Sequence, residues 1–270
     1  MINTSREESV YNPTQDNLIF PTKPEFSSTE EERQHRKARL AAACRFFADK
    51  GFGVGFGGHL TVRDPEHEGL FWTNPVCIPF GQVRKSMLIL VDHKGQVIEG
   101  DYAINRAGYV LHSAVHEMNP DIVASCHAHA LNSGAWASMG REIEPISQDA
   151  CIFYGDHTVL AEGSGKVPVG SDSGRAIAEA FMANKIVIHQ NHGLLAASRD
   201  SIDSAAFWFY LFDRVCKMQM LSESLSTKPI HVSAENATYT QKHLGTEYIA
   251  WLNFQCEFAE IQKRHPDFNL

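Results

Sequence analysis

Short apolar runs of strand length alternate along this chain with longer stretches of helical periodicity. Thr29-Glu-Glu-Glu32 has the spacing of a capping box and predicts a helix through Lys50, with Leu40, Cys44 and Phe47 on one face and Gly51 as its stop. His59-Leu-Thr-Val-Arg63, Gly69 to Thr73, Met87 to Val91 and Gln96 to Glu99 read as short strands, the last two joined by a turn at His93-Lys-Gly95. Arg106 to Asn119 returns to helical spacing and ends before Pro120, because a residue preceding proline is pushed out of helical geometry. The apolar run Ile122 to Ala130 predicts a strand, and another is expected around Ile152 to Tyr154. A helix from Ser173 to Asn184, a strand pair over Lys185 to Ser198 and a long helix from Asp200 to about Ser224 follow. That long helix is apolar over most of its circumference, which suggests burial by the sheet and by another subunit. A last helix, from about Ala234 to Ile261, sets Trp251, Phe254 and Phe258 at core spacing.

Residues 1–28 hold Pro13, Pro21 and Pro24 among polar neighbours and are expected to form an extended arm ahead of one domain over 29–270. An apolar share of 43 % with 21 % charged residues is that of an ordinary globular protein. A formal charge of −8 argues against a nucleic-acid partner, since phosphate binding needs clustered Lys and Arg. Neither a secretory leader nor an apolar run of about 18 residues is present, so no membrane partner is expected. Six scattered cysteines without CxxC spacing read as buried thiols, which suits a reducing cytoplasm.

The chemistry concentrates in histidines. In Cys126-His-Ala-His-Ala130, strand alternation points His127 and His129 to the same face, with Cα atoms roughly 6 to 7 Å apart, a span that two imidazoles can close on one cation. A dipeptide-spaced pair can equally be structural. His192, at the polar end of the strand Lys185 to His189 and just before Gly193, supplies a third imidazole, and three with a vacant direction suit a divalent ion. Zn²⁺ is the first expectation, with Fe²⁺ or Mn²⁺ open, because imidazole alone does not choose among them. The five glycines of residues 51–58 follow a helix and open a strand, the reverse of a dinucleotide fingerprint; they fit a tight turn, or bare backbone approaching a ligand, or both.

Taken together, Gly58-His-Leu-Thr-Val-Arg63, the helix Arg106 to Asn119, the pair His127 and His129, and Asn191-His-Gly193 resemble the class II aldolase and adducin family from about Thr29 to Ser224. The resemblance implies an α/β/α sandwich around a largely antiparallel sheet, a fourfold homotetramer, and one metal ion per subunit on His127, His129 and His192. It also exposes departures. Family aldolases carry an acid/base glutamate four residues ahead of the helix histidine, where this chain has Gly108; Arg106 and Ala107 replace phosphate-binding serines, and His59 replaces an asparagine after Gly58. These changes argue against a sugar-phosphate substrate.

An arginine suits a planar carboxylate, so Gly58, Arg106 and Gln148 are the expected contacts of a non-phosphorylated carbonyl or carboxylate substrate, although Arg106 also fits a structural ion pair. His59 is the first candidate for proton transfer, against the alternative of a hydrogen-bonded, half-buried ring. Asp149 and Tyr154 lie in a polar island that could supply an acid or merely make a turn. The expected function is metal-dependent making or breaking of a carbon–carbon bond, by retro-aldol cleavage or decarboxylation. Two alternatives stand beside it: an iron(II) oxygenase on the same three histidines, and an adducin-like interaction scaffold.

Overall fold

The computed structural model describes residues 10–13, 15, 17–167 and 171–270. Eight strands form one sheet: β1 (Gly58–Arg63), β2 (Leu70–Thr73), β3 (Ile89–Asp92), β4 (Val97–Glu99), β5 (Ala124–Ala128), β6 (His157–Leu160), β7 (Ile186–His189) and β8 (Gly193–Ser198). Their spatial order is β4-β3-β2-β1-β5-β8-β7-β6, and every neighbouring pair is antiparallel except β6 with β7.

Strand alternation divides the side chains into two buried layers. On one face Leu60, Val62, Cys126, Leu194 and Ala196 share a core with α1 (Thr29–Asp49), α3 (Leu131–Ala137), α6 (Ile202–Glu223) and α8 (Glu247–Arg264). On the other, Val187, Leu195 and Ala197 pack against Leu111 and Val115 of α2 (Arg106–Met118) and Ile177 of α5 (Ser171–Ala180). The expected three-layer α/β/α sandwich with a mostly antiparallel sheet is therefore the architecture.

Local chemistry explains most boundaries. Ser28, one residue before the expected cap, accepts from Glu31 N and starts α1, while Glu31 reaches back to Ser27. Asn105 caps α2 by accepting from Ala107 N and Gly108 N.

Two expectations need correction, and one helix was not anticipated. Ile152 to Tyr154 is not a strand; it continues the short helix α4 (Gln148–Cys151) as turns, with Phe153 N and Tyr154 N bonded to Ala150 O and Cys151 O, and β6 starts only at His157. Ile152 and Phe153 are buried, Phe153 by ring contacts to Trp208 and Phe212 of α6, and a short apolar run does not reveal whether a sheet or a helix covers it. The last helix is two, α7 (Ala234–Leu244) and α8, broken at Gly245, where a Cβ would meet Gln241 O at 2.5 Å and Ile152 O at 2.8 Å; Thr246 then caps α8. The short α3 carries no anticipated periodicity. The apolarity of α6 is largely used inside this chain: Trp208, Phe209, Phe212 and Val215 are at most 1 % exposed, while Leu221 near its end is left 59 % exposed.

Candidate metal centre

His59, His112, His127, His129 and His192 collect at one end of the sheet. β1 and β5 are antiparallel with His59 opposite His127 and Thr61 opposite Ser125, which puts these four side chains on the face covered by α2. His129 follows β5 directly, and the turn joining β7 to β8, with Asn191 in left-handed geometry at φ 56°, delivers His192. One nitrogen from each of His127, His129 and His192 lies within 4.8 Å of the others.

Second contacts prepare these rings for a cation. His127 Nδ1 donates to Leu194 O at 2.8 Å; a carbonyl only accepts, so the Nε2 lone pair is left for a ligand. Burial, then the neighbouring His59, His192 and His129 rings, holds His127 well below the usual imidazole range. Burial also lowers His129, and burial followed by His189 and His129 lowers His192 to about 4. Neutral rings are the form that coordinates metal. The donor set, three neutral imidazoles within reach of one another, therefore fits one divalent ion.

The three histidines open on a cavity of about 460 Å³ whose wall also includes Gly57, Gly58, His59, Asn105, Lys166 and Asn191. The glycine-rich segment makes a turn and also approaches the site. A Cβ on Gly57 would sit 3.6 Å from His129 Nδ1, and one on Gly58, at φ 145°, would lie 2.8 Å from the Phe80 ring.

His59 Nδ1 lies 2.6 Å from His112 Nε2. Behind that pair, His112 Nδ1 meets Ser125 Oγ, and Thr61 Oγ1 lies 3.0 Å from Ser125 Oγ and 2.9 Å from His116 Nε2. His59, His112 and His116 are all buried, and burial is the first cause that lowers each of them, His116 to about 3. A Cβ on Gly108 would fall 2.4 Å from His59 Cδ2, so the space that a side chain at position 108 would need is filled by an imidazole.

Other candidate residues lie away from this cluster within the chain. Arg106 is exposed at the start of α2 and does not line the cavity, although its neighbours Asn105 and Ala107 do. Gln148, Asp149 and Tyr154 lie on and after α4, which packs against α6 and α7, and they do not line it either. Lys166 and Asn105 line the cavity unannounced by any motif. His112 was legible only in part: polar residues at every second position, His59 with Thr61 and Ser125 with His127, in otherwise apolar strands mark a polar inner face that needs partners from the covering helix. A second cavity, of about 200 Å³ beneath Lys23 and Trp251, contains cations already paired to carboxylates, Arg36 with Glu32 and Arg39 with Asp203.

Residues 38–220 match the family model for the class II aldolase and adducin N-terminal domain. Among curated relatives, Decarboxylase NovR of Streptomyces niveus is 35 % identical, with 92 % of each chain covered. A protein of Streptomyces roseochromogenus subsp. oscitans named 4-hydroxy-3-prenylphenylpyruvate oxygenase/4-hydroxy-3-prenylbenzoate synthase is also 35 % identical, over 92 % of this chain and 89 % of that one. The solved L-fuculose 1-phosphate aldolase of Glaciozyma antarctica PI12 superposes with a TM-score of 0.85 at 36 % identity, covering 92 % of this chain and 97 % of that one. No helix among the described residues is long and apolar enough to cross a membrane. With the sheet order, the histidine cluster and the family match in agreement, this chain belongs to the class II aldolase and adducin N-terminal domain family.

Proposed function

We propose that the protein is a divalent-metal-dependent enzyme that makes or breaks a carbon–carbon bond next to a carbonyl in a non-phosphorylated keto-acid or carboxylate substrate. The carrying observation is the convergence of His127, His129 and His192 on one cavity beside His59. The ion would be held by those three rings and, when bound, would act as a Lewis acid that favours developing enolate charge by several kcal/mol.

The rest of the chemistry belongs to this chain. His59 Nε2 has no hydrogen-bond partner among the described residues and is the group that takes up or returns the substrate proton. Lys166, an exposed lysine among the residues lining the cavity, takes over the carboxylate-binding part first expected of Arg106. The buried wall formed by Leu111 limits water beside the reacting centre. Assembly as a homotetramer belongs to this proposal.

An oxygenase is the second reading, favoured by one of the two relatives at 35 % identity and by the glycine at position 108. Protein purified without a polyhistidine tag should be assayed for metal, then loaded anaerobically with Zn²⁺, Mn²⁺ or Fe²⁺ and given a panel of aryl and aliphatic keto acids. Anaerobic release of CO₂ or an aldehyde supports the lyase. Turnover that requires Fe²⁺ and consumes dioxygen replaces it with the oxygenase.

A further inference from the structure

We propose that His112, Ser125 and Thr61 are positioning residues that set which nitrogen of His59 carries its proton, so that the resting His59 presents either a lone pair or an N–H to the cavity. This rests on the reading of His59 as the proton-handling group.

The argument is a count of hydrogens. His59 Nδ1 and His112 Nε2 are 2.6 Å apart, so one must carry the hydrogen and the other the lone pair. A neutral His112 has a single N–H. If Nε2 carries it, Nδ1 accepts from Ser125, and His59 must hold its own proton on Nε2, facing the cavity. If instead Nδ1 donates to Ser125, His112 Nε2 accepts from His59 Nδ1 and the His59 Nε2 lone pair faces the cavity. Only these two arrangements satisfy both contacts, and in each of them His59 and His112 adopt the same tautomer.

The choice is biased from behind by hydroxyl rotors. Thr61 Oγ1 lies 3.2 Å from His112 Nδ1, 3.0 Å from Ser125 Oγ and 2.9 Å from His116 Nε2, so its single hydrogen decides what Ser125 offers to His112. The row contains no carboxylate that would hold an imidazolium, and Arg63 donates to His116 O, adding positive charge at the far end. Choosing between the two tautomers adds no proton to the row; when His59 Nε2 takes the substrate proton the pair carries one positive charge until that proton is returned from the same nitrogen. Gly108 completes the device: a Cβ would stand 2.5 Å from His59 Cγ, so the ring is seated against the helix backbone, where His112 can grip it.

The test is ¹⁵N NMR of the histidine rings in the full-length protein, metal-free and with Zn²⁺, which needs no substrate. His59 and His112 should share one tautomer in the wild type. Thr61→Val keeps the shape but removes the hydroxyl, and should move the His59 tautomer ratio by about threefold or more, as loss of one hydrogen bond implies. Thr61→Ser should restore it. Should Thr61→Val not fold, Ser125→Ala cuts the row one link closer. Opposite tautomers on His59 and His112, or an unchanged His59 ratio in a folded cut variant, overturn the proposal. With a substrate in hand, the cut variants should lose kcat about tenfold or more at unchanged KM. Full activity in His59→Gln would sink the underlying assignment of His59 while leaving the tautomer coupling measurable.

Discussion

A methyl group at position 108 would stand 2.4 Å from the His59 ring, closer than real side-chain carbons approach one another. Gly108 and His59 are therefore sterically coupled, the ring filling the space that a side chain at position 108 would need. Alanine is favoured over glycine in a helix by about 1 kcal/mol, so on propensity alone Gly108→Ala should stabilise α2. The contact is expected to win: Gly108→Ala should lower the melting temperature and displace His59. The double variant His59→Asn with Gly108→Glu should be better tolerated than Gly108→Glu alone, as thermal unfolding would show. His127→Ala should abolish tight metal binding, measured by calorimetry on untagged protein; retained affinity would remove the ion from these rings. Acid should also destabilise the fold through His116, which burial lowers from 6.5 to about 3. The neutral folded form is favoured, so this contribution is complete above about pH 6.5 and is lost progressively as pH falls towards 3. Melting temperatures of the metal-free protein should decline across that interval.

At the level of elements, α1, α6 and α8 are joined by Arg39, which pairs with buried Asp203, while Gln255 bonds to both. Removing one member of such a pair leaves an uncompensated buried charge. Asp203→Ala is expected to cost about 3 to 5 kcal/mol in urea unfolding, and a loss below about 1 kcal/mol would show that water reaches Arg39. Boundaries that depend on local chemistry, such as Gly51 after α1 or the end of α2 before Pro120, were legible because their signals lie within a few residues. The break between α7 and α8 was not, because Gly245 is required by a distant carbonyl, Ile152 O, as well as by Gln241 O. Ile152 to Tyr154 escaped for the same reason: burial by α6 rather than pairing in the sheet decides its conformation.

Over the whole molecule, chain order separates what the fold unites: His59, His112, His127 and His192 lie on four different elements and meet at one sheet end. Val54 and Phe56 remain more than 60 % exposed beside the cavity, as does Leu131 just after His129. A fourfold assembly would cover apolar surface of this kind, and sedimentation velocity is expected to give a tetramer; a monomer at micromolar concentration would remove the assembly from the proposal. The sequence by itself determined where most strands and helices lie and that His127 and His129 share a face, because alternation and turn chemistry are local, whereas the layered class was legible only through the family resemblance of its motifs. Only tertiary structure decided that Arg106, Gln148, Asp149 and Tyr154 lie off the cavity, that Lys166 lines it, and that His112 stands behind His59. The place of His112 behind His59 depends on how α2 crosses the sheet and on the His59 ring filling the space beside Gly108, and the place of α4 on its packing against α6 and α7; such contacts join segments far apart in the chain and are not encoded within any one of them.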